Sequence, residues 1–186
     1  MKRILIFSLQ YYPFVGGAEV AIKEITDRLS KDFVFDLITA KFQSDLPRKE
    51  VFGNVTVYRI GFGKKTLDKI LLPFLGAVQA YRLTRIHEYS VFWTVMVTFG
   101  SGAAFLCNIV RRILRKKKIP IVLTLQEGDS ENHLQYRWGG LIRLSWKLAM
   151  RYTTTLTALS NFLLYRAGRM GYTGKSVLVP NGVDTV

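Results

Sequence analysis

Short apolar runs alternate along this chain with longer segments of helical period, and the junctions between them carry glycine. That alternation restricts the fold to layered arrangements of strands and helices. The pattern is set at the start. Arg3 to Ser8 is a compact run of β-branched and aromatic residues, and from Ala18 onward Ala21, Ile22, Ile25 and Leu29 recur at helical spacing. Between them stands Tyr12-Pro13-Phe14-Val15-Gly16-Gly17-Ala18-Glu19. In a parallel sheet such a loop lies at the carboxyl ends of the strands. Glycines there let backbone N–H groups approach an anion at the helix start. The simpler reading is a tight turn and no more.

The same grammar continues. Phe33 to Ala40 predicts a strand covered on both faces, and Val51 to Ile60, with Gly53-Asn54 as a turn, predicts a short strand or hairpin arm. Thr66 to Ile86 has helical period, with Pro73 expected to bend the helix or mark its true start. Tyr89 to Thr98 predicts a strand, and Phe99-Gly100-Ser101-Gly102 a glycine turn opening the next helix. This turn is only an incomplete dinucleotide fingerprint, because a third glycine is missing and the region beyond is Arg/Lys-rich where an acidic ribose ligand belongs. Ile119 to Leu125 is strand-like and ends in the polar cluster Gln126 to His133. Leu134 to Met150 is helical, Thr155 to Leu159 a strand, Ser160 the cap of a helix over Asn161 to Met170, and Ser176 to Val179 the last strand. About six β-α units in regular order predict an α/β fold: a Rossmann-like, doubly wound, mainly parallel sheet with helices on both faces.

Composition narrows the partners. The 27 Lys and Arg against 13 Asp and Glu give a net charge of +14, which favours a polyanion: a phospholipid surface, nucleic acid or a phosphorylated substrate. The single Cys107, in an apolar helical context, permits no intrachain disulfide and suits a core position in a reducing compartment. Met1-Lys2-Arg3 and the apolar run after it imitate a signal peptide, but the run stops at Gln10, and it reads as the first strand. No apolar run is long enough to span a bilayer.

Three stretches coincide in order: Pro13…Gly16-Gly17-Ala18-Glu19, then Leu123 to Asp129, then Ala158-Leu159-Ser160-Asn161-Phe162-Leu163…Val179-Pro180-Asn181-Gly182-Val183-Asp184. Together they resemble the N-terminal, acceptor-side half of a family 4 glycosyltransferase, the retaining, nucleotide-sugar-dependent group with the GT-B fold. The resemblance implies a Rossmann-like domain over 1–179, with 180–186 beginning the connection to a C-terminal donor domain that this sequence lacks. In the family that second domain carries two glutamates that engage the donor; no two glutamates here stand eight positions apart. The chain is therefore expected not to transfer sugar by itself.

By the same resemblance Gly16 and Gly17 lie beside the donor phosphates and the acceptor, with Glu19 orienting the loop. Gln126 occupies the position where many members carry a histidine facing the reacting sugar. A glutamine cannot act as a general base, which leaves Glu127, Asp129 or the leaving phosphate to take the proton. The alternative for both carboxylates is to cap the next helix. His133, Ser160, Asn161 and Asn181 are further cleft candidates; a structural role for His133 and capping by Ser160 are the simpler readings. No metal-ligand spacing occurs, and no cofactor is implied beyond the nucleotide-sugar co-substrate.

Basic residues interleaved with Trp138, Trp146, Leu71 and Phe74 suit adsorption to an anionic bilayer. That fits a lipid-linked acceptor, as in cell-envelope polysaccharide or lipopolysaccharide assembly, and a cytoplasmic protein at the inner membrane face. Two other classes stay open: a carbohydrate- or nucleotide-binding domain without catalysis, and a basic nucleic-acid-binding module. The last is disfavoured because the basic residues are scattered over several helices and no nucleic-acid motif is present.

Overall fold

The computed structural model of the chain describes residues 1–97, 99–126 and 141–182. The elements in order are β1 (Lys2–Phe7), α1 (Gly17–Arg28), β2 (Phe33–Ala40), β3 (Lys49–Phe52), β4 (Val55–Ile60), α2 (Lys65–Ile86), β5 (Val91–Val95), α3 (Gly100–Ile113), β6 (Ile121–Leu125), α4 (Leu141–Tyr152), β7 (Thr155–Ala158), α5 (Asn161–Arg169) and β8 (Lys175–Leu178). The strands form one eight-stranded sheet in the order β3-β4-β2-β1-β5-β6-β7-β8. Only β3 against β4 is antiparallel, the hairpin turning at Gly53, whose φ is +58°. All other neighbours are parallel. The doubly wound α/β sheet expected from the sequence is the observed fold.

Strand alternation sorts the core into two layers. Leu5, Phe7, Ile38 and Ala40 point to the side of α2 and α3, whereas Ile6, Phe35, Leu37, Val55 and Val57 pack with Ile22 of α1. The split follows from connection handedness. The chain steps from β1 to β2 in one direction and from β4 through β5 to β8 in the other. Right-handed crossovers then set α1 on one face and α2 to α5 on the opposite one.

Helices α2 and α3 touch through small residues. A Cβ at Gly76 would lie 2.9 Å from the Ala103 Cβ, and one at Gly102 would lie 2.8 Å from the Pro73 Cβ. The glycines that opened α3 in the sequence pattern are thus packing residues, with Gly100 also held against the Phe7 carbonyl, where a Cβ would stand 3.3 Å from the oxygen. Pro73 neither starts nor ends α2. The helix runs unbroken from Lys65 to Ile86, and the proline ring occupies the notch that Gly102 leaves.

Two further expectations are corrected. Trp146 is fully buried among Leu123, Leu125, Met150 and Leu156, so it is not available to a membrane. The strand expected over 89–98 is confined to Val91–Val95, because Met96 turns the backbone to a φ of +67°. Cys107 is in the core as expected, and burial pushes its thiol up to about 12.

Filling the α2–α3 notch tests this account. Gly102→Val is expected to lower unfolding free energy by about 2–3 kcal/mol in a urea titration, as overpacking of a tight contact does. An unchanged midpoint would refute the close approach.

Candidate functional site

The carboxyl edge of the sheet is organised by two buried charged side chains. Asp68, in the first turn of α2, is fully buried and accepts four backbone N–H groups: Phe62 on Oδ1 at 2.7 Å, and Phe42 at 3.2 Å, Gly63 at 2.8 Å and Lys64 at 3.2 Å on Oδ2. Gly61, with φ +126°, passes so close that a Cβ would stand 2.3 Å from the Asp68 Cγ. One carboxylate therefore ties the loop after β2 to the loop after β4. Arg59, also buried, donates to the Pro47 carbonyl at 3.2 Å and to the Tyr12 carbonyl at 2.6 Å, and pairs with Glu50. It fixes the loop after β1 to the β3–β4 hairpin, on which the Tyr12 ring stacks against Phe52 at 4.4 Å.

That loop delivers Gly16 and Gly17 to the start of α1. Gly16 is the N-cap in extended conformation and has no side chain to satisfy the first-turn N–H groups; Val20 N donates to the Gly16 carbonyl at 3.1 Å and closes the turn. Glu19, three residues into the helix and buried, aims its carboxylate under the loop, with Oε2 2.7 Å from where a Gly16 Cβ would be. Gly16 thus has a structural reason to be glycine. Gly17 has none: nothing lies within 4 Å of a Cβ built there.

Gly17 opens instead onto a groove of about 1160 Å³ between α1 and the part of the sheet that no described helix covers on that face. Gly16, Gly17, Gln126, Asn181 and Gly182 line its carboxyl-edge end, Val20 and Ala21 form its wall, and Trp93, Val122, Thr124 and Thr157 form its floor. The floor carries a polar chain across three strands. Trp93 Nε1 donates to Thr124 Oγ1 at 2.8 Å, and that hydroxyl lies 2.8 Å from Thr157 Oγ1. An otherwise apolar surface with a few fixed polar groups, next to helix-start N–H groups, suits a ligand that pairs a phosphate with a ring.

The profile of the family described as Glycosyltransferase Family 4 matches residues 15–186. The chain belongs to glycosyltransferase family 4. Its fold is similar to that of sucrose-phosphate synthase from Thermosynechococcus elongatus, at a TM-score of 0.66 and 13% identity over 99% of this chain and 49% of that one. A second similar structure is described as trehalose-6-phosphate from E. coli bound with UDP-2-fluoro glucose; its TM-score is 0.61 at 14% identity over 98% of this chain and 49% of that one. The chain spans about half the length of these structures. No curated protein matches it in sequence.

Of the positions singled out by the resemblance to family 4, the fold gathers Gly16, Gly17, Gln126 and Asn181 along one groove and sets Glu19 beneath it. Ser160 and Asn161 do not line that groove. The Ser160 hydroxyl accepts from Leu163 N at 3.4 Å as the cap of α5, and Asn161 is exposed. Glu127, Asp129 and His133 lie outside the described residues, as does Trp138. The sequence reading missed Trp93, Thr124, Thr157, Arg59 and Asp68. For the threonines the signal was a hydroxyl repeating at the same face of adjacent strands.

Asp68→Asn puts an amide where acceptors are required on both sides. It is expected to cost about 2–4 kcal/mol in chemical unfolding, and loss of under about 0.5 kcal/mol would remove Asp68 from its proposed place as the anchor of these loops.

Proposed function

We propose that this chain is the acceptor-binding half of a retaining glycosyltransferase that moves a sugar from a nucleotide-sugar to a glycan or lipid-linked acceptor. Family membership supports glycosyl transfer, and one observation supports this choice of site: Gly17 lines the groove at a helix start although the fold leaves room for a side chain there. In this reading the first-turn N–H groups of α1 stabilise charge on the leaving diphosphate as the sugar C–O bond breaks. The acceptor oxygen forms the new bond, and its proton passes to Glu127, Asp129 or the departing phosphate. Gln126 donates and accepts hydrogen bonds at the reacting sugar, Asn181 flanks it, and Glu19 holds the loop. A second domain supplies most of the donor contacts.

The outer side of α2 supports a membrane-bound acceptor. Leu67, Ile70, Phe74 and Val78 are exposed along it, with Lys64 and Lys65 at one end and Arg82 and Arg85 at the other. Apolar insertion flanked by lysine and arginine is the usual chemistry of adsorption to an anionic leaflet. No described helix is long and apolar enough to cross a bilayer. The second reading is a carbohydrate- or nucleotide-binding domain without catalysis, which an apolar groove with a few fixed polar groups would serve equally.

Gly17→Leu separates these roles. It is expected to leave stability within about 1 kcal/mol, since leucine is the better helix former, while kcat/KM in the full polypeptide falls by about a hundredfold or more through the filled groove. A nucleotide-sugar panel with a polyprenyl-phosphate-linked acceptor, read by NMR, is expected to give product of the donor's anomeric configuration. Inversion would overturn the retaining reading, and binding without turnover in any of these combinations would favour the non-catalytic one.

A further inference from the structure

A second cleft, of about 810 Å³, lies at the opposite, amino edge of the sheet. It is formed where α2 and α3 end side by side and the chain re-enters β5 and β6. Its lining holds five cationic side chains, Arg85, Arg111, Lys116, Lys117 and Lys118, against one carboxylate, Glu88. Helix C-termini attract such charge, but α2 and α3 together present only about one negative charge equivalent. The cations outnumber what the dipoles and Glu88 can offset. None of the five is ion-paired to a carboxylate among the described residues.

The lysines are also held in place by their backbone. Arg111 donates to the Lys117 carbonyl through Nε at 3.1 Å and Nη2 at 2.8 Å, and Lys116 N donates to the Arg111 carbonyl at 2.7 Å. Arg115, at φ +55°, makes the turn that reverses the chain there. Asn108 closes the loop from inside: its side chain accepts from Ile119 N at 3.0 Å and donates to the Ile119 carbonyl at 2.9 Å. A run of three lysines on a fixed turn lines the cleft together with Arg85, and Tyr81, Thr84, His87 and Ser90 supply further polar groups.

We propose that this cleft is an anion site for a ligand carrying two or more phosphate groups, separate from the glycine-loop groove. The two clefts share no lining residue, and Gly16 and Gly17 stand at the far, carboxyl end of the strands, a strand's length of roughly 15–20 Å away. Several phosphates are required because a single one leaves most of the cationic excess unneutralised, and the cavity is larger than one phosphate fills. The phosphates come either from a soluble polyphosphate ester or anhydride or from clustered lipid headgroups.

Calorimetry with inorganic tripolyphosphate on the full chain tests this, alongside co-sedimentation with phosphatidylglycerol vesicles. Saturable tripolyphosphate binding that weakens about tenfold or more in K116A/K117A/K118A, tightens in Glu88→Gln and is unchanged in R48A/K49A, on the exposed start of β3, assigns a soluble ligand. Vesicle binding that the triple variant abolishes, with no response to tripolyphosphate, assigns headgroups. Circular dichroism of each variant checks the fold. Equal weakening by R48A/K49A would mean diffuse charge and would overturn the site, as would tripolyphosphate and vesicle binding that are both absent or both indifferent to the triple variant.

Discussion

The handedness of β-α-β crossovers governs this molecule. Because the chain leaves β1 toward β2 and later returns past it to β5, the connections on the two sides must lie on opposite faces. A crevice opens where the direction reverses, between β1 and β5 at their carboxyl ends. Gly16 and Gly17 follow β1, and Trp93 stands on β5. The groove is therefore a product of topology before any side chain is chosen. The same rule stacks α2 to α5 on one face and leaves α1 as the one described helix on the other, so that among the described residues Trp93, Val122, Thr124 and Thr157 line the groove floor.

Parallel sheets put their loops at two edges, and the loops need their own polar supports. Asp68 and Arg59 serve the carboxyl edge, each spending its hydrogen-bonding capacity on backbone groups of segments far apart in sequence. A third buried charge serves the other end of the sheet. Asp36 on β2 pairs with Arg3 at 2.7 Å and accepts from the Tyr89 hydroxyl at 2.6 Å, joining three neighbouring segments below the core, and burial together with this bond raises the Tyr89 pKa. Satisfied networks of this kind specify loop geometry, since a misplaced segment leaves a buried charge unpaired.

Much of this was legible in the chain. Period and glycine position were enough for the sheet, for the Gly16-Gly17 loop and for the Ser160 cap, because those depend on local rules. What escaped depends on partners distant in sequence. Asp68 looks like any acid in a helix's first turn until the fold brings Phe42 and Phe62 to it. Pro73 reads as a helix breaker unless Gly102 is known to face it, and Trp146, flanked by basic residues, reads as amphipathic until Leu123 and Leu156 enclose it. The Trp93–Thr124–Thr157 chain needs strand register, which single-sequence periodicity does not supply. Glu127, Asp129 and His133 lie outside the described residues, and only their polar cluster after β6 and the family resemblance single them out.

The burial of Cys107 has a practical side. As the single cysteine of the sequence, deep in the core with its thiol held protonated, it leaves the surface of the described chain without a reactive sulfur. A cysteine introduced on the exposed Val20, at the wall of the groove, would therefore take a fluorophore or spin label alone, with no background site to remove. The native core can stay untouched while a single reporter watches ligands arrive.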